Sequence, residues 1–361
     1  MDKETINKIY KTISMKLLTV GSNVIHLKNY HDLIREDVSD ILFITDRLND
    51  KFAYDKIKLV PFSVRNPFQI KKSINQIKQI IQNYKPDIIH IHQAGTNAYL
   101  ALKASKNFNV PTIVAAWGSD ILVIPGKGIL YKRMIKYILQ NSDYYTSDSL
   151  FMASKMQQLA FPDTLDITIA NFGINIEKFN LPKENIIFSN RLHKKMYRIN
   201  IIIESFKRFI TNRKHENWKL VIAGEGDETS KLKQLATELE IVDNVEFVGW
   251  LDKASNDEYY FRSKIFISIP ASDATSISLL EALAAGCIPI LSNLPANLEW
   301  VVDGLNGVIV DNLNNNFIER ALELDYNKVK DINSYSIEKE ATKEVNRKKF
   351  IDLYNRVLEG V

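Results

Sequence analysis

The sequence predicts two doubly wound α/β domains, each a parallel β-sheet covered by helices on both faces. Two observations support this: short apolar strand patterns alternate with longer helical patterns, and the alternation starts again after residue 182. Strands that alternate with helices are typical of parallel sheets. A chain of 361 residues is also longer than one hydrophobic core usually supports, which favours two domains.

The first half of the chain supplies the elements of one domain, which we place at residues 1–182. Helical periodicity, with apolar residues every three or four positions, is found over residues 1–14, 67–84, 95–106 and 128–141. Short apolar runs bounded by turn residues predict strands at 16–20, 40–45, 57–60, 87–92 and 111–116.

The second half repeats this pattern in a domain at residues 183–336, and a charged helix at 337–358 lies in a closing segment, 337–361. Ligands of doubly wound sheets bind beyond the carboxyl ends of the strands, so we expect the site in the cleft between the two domains. The predicted strands are 185–188, 219–223, 245–247, 264–269, 288–291 and 307–310, and the predicted helices are 199–213, 228–239 and 278–285.

Composition excludes several classes of protein. The single cysteine, Cys287, excludes an internal disulfide framework and is typical of a reducing compartment. No apolar run reaches the roughly 18–20 residues that span a bilayer, and no signal-peptide pattern is present, so we expect a cytoplasmic protein. A formal net charge of +4 is compatible with an anionic ligand, and we predict no nucleic-acid partner.

The segment at 271–289 carries the strongest functional signal. A buried strand pattern leads through a hydroxyl-rich turn to a helix, whose first N–H groups and partial positive charge suit a phosphate. Asp273 precedes the turn and Glu281 lies about two turns into the helix, where we expect the carboxylates to accept sugar hydroxyls. The backbone donors are expected at Thr275, Ser276, Ile277 and Ser278.

These two carboxylates have alternative roles as a general acid and base or as metal ligands. The first role needs an elevated pKa, which a sequence does not show. The chain has no D-x-D triplet and no cluster of His, Asp and Glu at ligand spacing. We therefore predict no metal and no other cofactor.

Two more strand ends of this domain carry residues suited to a nucleotide. Arg191 follows the strand at 185–188, and a guanidinium there can bind a diphosphate through two parallel hydrogen bonds. The Gly-Glu-Gly sequence at 224–226 is either a tight turn alone or a turn that brings the backbone close to a nucleotide. Thr229 replaces the third glycine of the dinucleotide fingerprint, which disfavours a nicotinamide dehydrogenase.

The first domain offers candidates for an acceptor site at its strand ends. Asp120 follows the strand at 111–116 and is either a reactive group or a cap of the next helix. His92 ends its strand and is expected to reach the ligand site, whereas His90 is expected in the core. The predicted acceptor-side residues are Gly21, Ser22, His92, Trp117 and Gly118.

The helix at 128–141 places Lys132, Arg133 and Lys136 beside isoleucine and leucine residues. Basic amphipathic helices lie on anionic membranes, so peripheral contact with the inner membrane surface is one interpretation. A surface helix that packs its apolar side on the core is the other.

Taken in order along the chain, these landmarks resemble the retaining GT-B glycosyltransferases of family 4 over residues 15–350. The family's E-x7-E element matches 273–289 here. The W-G-S-D form at 117–120 resembles bacterial members associated with surface polysaccharides. Further matches lie at 87–92, 171–173 with Phe179, 220–226, 244–249 and 303–307.

The resemblance implies two Rossmann-like domains facing across a cleft, with the closing helix crossing back to the first domain. It implies a metal-independent transfer of a sugar from a nucleotide sugar, bound by the second domain, to a saccharide or polyprenyl-linked acceptor, bound by the first. The implied catalytic residues are Asp120, near the anomeric carbon, Asp273 and Arg191. The implied donor-binding residues are Glu281, Arg191, Lys195, Gly224, Glu225, Gly226, Thr275, Ser276, Ile277 and Ser278.

Four departures from the family pattern bear on activity. Asp273 stands in place of a glutamate, Ser276 in place of a usual glycine, and Trp117 in place of a usual histidine. A usual lysine after the strand at 185–188 has no counterpart in register, although Lys195 flanks its position. These departures motivate a second hypothesis, a catalytically silent nucleotide-sugar-binding protein that supports a partner enzyme. A sugar-nucleotide epimerase is a third.

Overall fold

The computed structural model describes residues 13–175 and 181–360, and these form two compact units. One unit contains the residues up to Phe172 together with the segment from Lys343 onward, and the other is Gly173–Thr342. The unit boundaries fall at 172/173 and 342/343, whereas the sequence predicts them at 182/183 and 336/337. Phe179, part of the family resemblance, lies outside the described residues.

The first unit is built on a parallel sheet, as the alternating pattern predicts. Among the described residues its strands are β1 (Ile13–Val20), β2 (Val38–Thr45), β3 (Ile57–Leu59), β4 (Ile88–His92), β5 (Thr112–Ala115), β6 (Tyr144–Ser147) and β7 (Ile167–Ile169). They pair in the order β3-β2-β1-β4-β5-β6-β7. The winding direction therefore reverses between β1 and β4, which is where such sheets bind ligands.

Helices connect these strands. The helix Pro67–Tyr84 begins where its sequence predicts, because the Asn66 side chain accepts the N–H of Phe68 and Pro67 occupies the first helical position. In the part of the chain that is described, no helix is long and apolar enough to span a bilayer. The helices are α1 (Ile25–Ile34), α2 (Pro67–Tyr84), α3 (Thr96–Ser105), α4 (Ser119–Leu122), α5 (Ile129–Leu139) and α6 (Leu150–Ala160).

The structure differs from the sequence prediction at the first strand of this unit and at its last two strands. Residues 1–12 of the helix predicted over 1–14 lie outside the described residues, and Ile13 already belongs to β1. The sequence pattern does not predict β6 or β7. The β6 sequence, Y-Y-T-S, lacks an aliphatic run, and its buried Tyr145 keeps a polar end that donates to the carbonyls of Leu139 and Ser142, each at 2.7 Å.

The second unit repeats the architecture of the first. In the described ranges its strands are β8 (Glu184–Ser189), β9 (Lys219–Ala223), β10 (Val245–Gly249), β11 (Ser263–Ser268), β12 (Ile288–Ser292) and β13 (Val308–Val310). They are parallel and pair in the order β10-β9-β8-β11-β12-β13, so the winding reverses between β8 and β11. All six strands lie where the sequence predicts them, within two residues at each end.

Helices cover both faces of this sheet. One face packs against Ile202, Phe206 and Leu232, and the other packs against Leu280 and Leu283. The helices are α7 (Ile199–Ile210), α8 (Thr229–Glu238), α9 (Lys253–Arg262), α10 (Ile277–Ala284), α11 (Pro295–Leu298), α12 (Phe317–Leu322) and α13 (Tyr326–Glu340).

The closing helix predicted at 337–358 is interrupted. The first part belongs to α13, which ends at Glu340, and a separate helix, α14, runs over Lys343–Glu359. At the break the N–H of Ile174 donates to the carbonyl of Ala341 at 2.9 Å, and Ile174 forms a parallel bridge with Thr342. This pairing takes the Ala341 carbonyl that a continuous helix would use.

The α14 helix packs on the first unit. Its buried side chains include Phe350 and Tyr354, which join the core around Tyr30. Arg347 adds a two-pronged ion pair with the buried carboxylate of Asp37, at 2.5 and 2.6 Å. The two parallel hydrogen bonds fix the helix in direction as well as position.

Buried histidines lie in the core of the first unit. The His31 ring nitrogen Nε2 lies 2.8 Å from the Thr19 hydroxyl, and the His90 Nδ1 lies 2.9 Å from the hydroxyls of both Tyr30 and Tyr354. Burial lowers the pKa of His31 to about 3, and burial together with the neighbouring His31 lowers the pKa of His90 to about 3. Both rings are therefore neutral in the folded protein at neutral pH.

We predict that acid destabilises the protein through these histidines. Their pKa values are lower in the folded state than the ordinary 6.5, so between about pH 6.5 and 3 the unfolded chain binds more protons. Each buried histidine then removes about 1.4 kcal/mol of stability per pH unit. In calorimetry, the melting temperature should fall from pH 6 to pH 4 less steeply for the double variant His31→Gln, His90→Asn. Equal slopes of melting temperature against pH in the wild type and the variant would contradict the assignment of acid destabilisation to these two histidines.

Candidate functional site

The candidate site lies at the carboxyl ends of β8 and β11, where the strand order of the second unit reverses. Arg191 follows β8, and residues 269–276 connect β11 to α10. This edge of a doubly wound sheet is the usual ligand position. The sequence-predicted donor residues Arg191, Asp273, Ser276 and Glu281 all lie on these two connections or on α10 itself.

The Arg191 side chain is held from three directions. One guanidinium nitrogen, Nη2, donates to Asp273 Oδ2 at 2.6 Å, and the other, Nη1, donates to the Ser276 hydroxyl. The guanidinium carbon lies 4.7 Å from the centre of the Tyr197 ring, which is cation–π distance. The Arg191 side chain is 11% exposed, so the cation is fixed before any ligand arrives.

Asp273 is paired with Arg191 and largely buried. Burial raises the pKa of its carboxyl above the usual range, while Arg191 and the N–H of Ala274 oppose that rise. The sequence analysis assigned Arg191 to a diphosphate and Asp273 to sugar hydroxyls as separate contacts. The structure brings the two side chains directly together, which the spacing of 82 residues in the sequence did not predict.

The start of α10 is capped by Ser276. Its backbone is extended, with φ −82° and ψ 128°, and its hydroxyl accepts the N–H of Leu279 at 3.4 Å. The same hydroxyl also accepts from Arg191, so the serine that replaces a usual glycine links the guanidinium to the helix start. The first backbone N–H groups of a helix have no partner within it, which leaves those of Ile277 and Ser278 for a ligand.

Glu281 lies little more than one turn into α10, not two, because the helix begins at Ile277. Its side chain is 15% exposed, so it does not lie on a solvated face. One oxygen is 3.5 Å from Lys253 Nζ and the other 3.5 Å from Asn256 Nδ2. Burial raises the pKa of the Glu281 carboxyl, and Lys253 opposes the rise.

The α9 helix contributes polar residues that the sequence analysis missed. Lys253 pairs with Asp257 one turn later as well as with Glu281. The Asn190 amide nitrogen donates to Asn256 Oδ1 at 2.8 Å and to the Tyr260 hydroxyl at 2.7 Å, which joins α9 to the end of β8. Lysine and aspartate four residues apart are typical of surface helices, so the sequence carries no signal for this role.

The glycines at 224–226 are required by packing within the protein. A Cβ on Gly224 would lie 2.8 Å from the Arg191 carbonyl oxygen, and one on Gly226 would lie 2.5 Å from that of His193. His193 also donates its N–H to Glu225 O at 3.1 Å. The tight-turn interpretation therefore explains both glycines, because the turn supports the loop that carries Arg191. Contact with a nucleotide stays a prediction for Gly224, Glu225 and Gly226.

Lys195 occupies a different environment from Arg191. It is exposed, in a 3-10 turn over Lys195–Tyr197. It lines a surface cavity of about 240 Å³ together with Lys194, Asn200 and Lys231. Its predicted contact with a donor stays a prediction.

In the first unit, Asp120 fastens two loop segments to each other. The carboxylate is 2% exposed and accepts the N–H of Ala94 at 2.8 Å and that of Trp117 at 3.1 Å. Burial raises the pKa of this carboxyl and these N–H groups oppose the rise. Asp120 therefore joins the segment after β4 to the segment after β5, and its proposed position near an anomeric carbon stays a prediction.

The predicted acceptor-side residues lie close together at the ends of β1, β4 and β5. A Cβ on Gly21 would meet the His92 Cβ at 3.2 Å, and the His92 and Trp117 ring centres are 5.8 Å apart. Trp117 also packs edge-on against His26 at 5.6 Å, and Gly118 adopts φ +111°, which favours glycine. Ser22 stays partly exposed beside them.

His92 is buried at the end of β4, and its predicted contact with the ligand site stays a prediction. It is 1% exposed, and within residues 13–175 and 181–360 neither ring nitrogen has a hydrogen-bond partner. The same holds for the Trp117 Nε1 and for both amide atoms of the buried Asn23. Asn23, two residues after Gly21, is another polar residue that the sequence analysis missed, because nothing distinguishes it from an ordinary turn asparagine.

The described residues contain no group of three or more His, Cys, Asp and Glu side chains arranged to hold a metal ion. The buried Cys287 lies against the carbonyl oxygens of Tyr260 and Ser263 at 3.1 and 3.4 Å. Burial raises the pKa of its thiol, so it is an unreactive core residue.

Two family models match the chain in succession. The model described as Glycosyl transferase 4-like matches residues 16–149, and the model described as Glycosyl transferases group 1 matches residues 172–336. Together they cover the second sheet, the first sheet except β7 and the start of β1, and the Arg191, Asp273 and Glu281 positions.

Relatives and solved structures agree with these models. The N-acetyl-alpha-D-glucosaminyl L-malate synthase of Bacillus anthracis is 24% identical over 63% of this chain and 62% of its own. The matched region spans about 60% of the length of the first curated relatives. The lipopolysaccharide outer core galactosyltransferase WaaB, in apo form, has a TM-score of 0.74 at 17% identity, covering 96% of this chain and 100% of that one. Anabaena HepE in complex with UDP has a TM-score of 0.77 at 12% identity, covering 94% and 99%. These likenesses show the fold.

We predict that Asp120→Ala destabilises the first unit by about 2–4 kcal/mol in urea denaturation, because two buried N–H groups lose their acceptor. Asp120→Asn keeps one acceptor oxygen and should cost less. The exposed Asp50→Ala serves as the control and should change stability by less than about 0.5 kcal/mol. Unchanged stability in Asp120→Ala would mean that the carboxylate has no structural role.

We predict that Gly226→Ala costs about 1–3 kcal/mol, because its Cβ would press on the His193 carbonyl and push the two loops apart. Gly126→Ala is the matched control, since nothing lies within 4 Å of its Cβ. The melting temperatures of the two variants test this. A Gly226→Ala variant as stable as the wild type would show that the loops are not tightly coupled.

Proposed function

Since this chain belongs to the glycosyl transferases group 1 and has the GT-B fold, we propose that it transfers a sugar from a nucleoside diphosphate sugar to an acceptor hydroxyl. The observation that carries the proposal is the Arg191 guanidinium fixed by Asp273 and Ser276 at the switch point of the second sheet. Within the described ranges, two of its three nitrogens donate hydrogen bonds to side chains, and a guanidinium has five N–H donors. The remaining donors and the first N–H groups of α10 are suited to a diphosphate.

Glu281 is assigned to the ribose of the donor. A carboxylate accepts hydrogen bonds from two neighbouring hydroxyls, and Glu281 lies on the same helix whose first turn is assigned to the phosphates. Lys253 and Asn256 hold its two oxygens at 3.5 Å, a distance that leaves acceptor capacity for a ligand.

In the proposed reaction the bond between the anomeric carbon and the diphosphate oxygen breaks as the acceptor oxygen bonds to that carbon. The acceptor proton passes to the departing phosphate, and no protein nucleophile is assigned. Arg191 and the α10 start stabilise the negative charge that develops on the leaving group, which is usually the largest contribution to catalysis. We propose retention of configuration and no metal requirement, so activity should survive EDTA.

The acceptor is proposed to be a saccharide or a lipid-linked saccharide of a bacterial surface polysaccharide. The W-G-S-D sequence at 117–120 and the likeness to a lipopolysaccharide galactosyltransferase support this choice. The acceptor would meet the partly exposed Ser22 and Trp117 at the strand ends of the first unit. The reduced Cys287 supports a cytoplasmic location.

We predict that Arg191→Ala lowers kcat about 100-fold or more, because one preorganised donor to the leaving group is lost. Glu281→Gln should mainly raise the KM for the donor, about tenfold. The assay measures nucleoside diphosphate release and product formation across a panel of UDP- and GDP-sugars. The exposed Arg213→Ala and Glu238→Gln in the same unit are matched controls and should behave as wild type.

Two outcomes would contradict the proposal. Wild-type turnover in both Arg191→Ala and Glu281→Gln would remove the site assignment. Donor binding by the wild-type protein with no transfer to any acceptor would favour the catalytically silent binding protein, and conversion of the donor sugar without an acceptor would favour an epimerase.

A further inference from the structure

A protruding segment of the first unit combines apolar and basic side chains. Every residue from 126 to 133 is exposed, and we call this segment the basic–apolar strip. It contains Ile129, Leu130 and Tyr131, which are 62%, 76% and 48% exposed. Three large apolar side chains exposed in succession are unfavourable in water, and such patches usually mark an interaction site.

The strip is distinct from the apolar side of α5 that supports the fold. That side consists of Ile135, Ile138 and Leu139, which are fully buried in the second half of the helix. The ordinary surface-helix interpretation therefore accounts for the later residues of α5 alone. No residue of the first turn of α5 is buried, and the same is true of the preceding 3-10 turn, Ile124–Lys127. The apolar side chains of these two turns therefore do not pack in the core.

Bases outnumber acids on the surface around the strip. α5 packs against α3 and α6, and none of these three helices contains an aspartate or glutamate. The acids nearest in sequence are Asp120, Asp143, Asp148 and Asp163. Asp120 is buried against backbone N–H groups and Asp148 is half-buried, whereas Asp143 and Asp163 are exposed and accept from the neutral side chains of Thr112 and Gln140. The bases on this surface are Lys103, Lys127, Lys132, Arg133, Lys136 and Lys155.

Two further contacts join α5 to Phe161 and to α3 on this surface. Lys136 Nζ donates to the carbonyl of Phe161 at 2.9 Å, so the 72% exposed Phe161 side chain lies beside α5. Lys103 lies 4.2 Å above the Tyr137 ring, which ties α3 to the same helix. Exposed aromatic and aliphatic groups ringed by lysine and arginine are suited to the boundary between lipid headgroups and acyl chains.

We propose that the basic–apolar strip docks the protein onto an anionic lipid bilayer, with Ile129, Leu130 and Tyr131 entering the interface and the surrounding bases facing the headgroups. Charge complementarity selects this occupant, since the six bases outnumber the nearby exposed acids Asp143 and Asp163 and favour a negatively charged surface. The proposal does not rest on the transferase activity, because it concerns a surface of the first unit and binding needs no donor.

The test is co-sedimentation of the full chain with vesicles of phosphatidylcholine alone and of phosphatidylcholine mixed with phosphatidylglycerol. The wild type should bind the anionic vesicles, should bind the neutral ones much less, and should be released as salt rises. Each base near an anionic surface contributes about a fivefold factor in binding, so Lys132→Gln with Arg133→Gln should weaken it about 25-fold.

The apolar contribution is tested with Ile129→Ser and Leu130→Ser together, which should weaken binding more than tenfold. Matched controls lie in the second unit: Val242→Ser with Leu322→Ser for exposed apolar groups, and Arg213→Gln with Lys214→Gln for exposed bases. Controls and strip variants should share the wild-type melting temperature, because none of the altered side chains is buried.

Three results would overturn the proposal. The first is a wild type that binds no anionic vesicles. The second is equal binding by the strip variants and their controls. The third is a wild-type dimer in solution that becomes monomeric in the Ile129→Ser, Leu130→Ser variant, which would assign the strip to a second copy of the chain.

Discussion

The fixed position of the Arg191 guanidinium is the constraint on which the rest of the candidate site depends. Its side chain is held by Asp273 and Ser276, and its backbone carbonyl lies against Gly224, where no other residue fits. A cation held in this way does not reorganise when charge develops on a leaving group, which is the condition for electrostatic catalysis. The two glycines of the turn therefore serve the site by shaping the loop that carries Arg191.

One buried and two half-buried carboxylates show how the same chemical group takes different roles. Burial raises the pKa of Asp120, Asp273 and Glu281 alike, and the partners differ. Asp120 accepts backbone N–H groups and fastens two loops of the first unit. Asp273 neutralises and orients a guanidinium, whereas Glu281 lies 3.5 Å from both Lys253 Nζ and Asn256 Nδ2 and keeps acceptor capacity. Glu281 is therefore best suited of the three to bind a ligand.

Much of the fold follows from the sequence, because a parallel sheet buried on both faces requires apolar runs. Five of the six strands of the second unit contain such a run, and the edge strand β10, V-E-F-V-G, is interrupted by the exposed Glu246. The strand β6 contains no such run, since its tyrosines combine burial with hydroxyl groups that bond to local carbonyls. The break after α13 depends on pairing with Ile174, more than 160 residues away. The local hydrophobic periodicity therefore does not predict this break.

Less of the site could be predicted. The sequence pattern identifies Arg191, Asp273 and Glu281, because each follows a strand end or a helix start with its own chemical signal. It does not indicate that Arg191 and Asp273 form an ion pair, or that Lys253 and Asn256 flank Glu281, since these contacts join segments distant in sequence. For His92 the sequence pattern indicates the strand end, but alternation along a strand does not reveal what covers that end, and the side chain is 1% exposed.

The central claim is that the guanidinium at the switch point binds the diphosphate of a sugar nucleotide. The most direct measurement is a crystal structure with the nucleoside diphosphate that raises the melting temperature most. The account predicts phosphate oxygens within hydrogen-bonding distance of the Arg191 guanidinium and of the first N–H groups of α10, with the ribose hydroxyls on Glu281. A well-ordered nucleotide bound away from Arg191 and Glu281, with the Arg191–Asp273 pair unchanged, would contradict it.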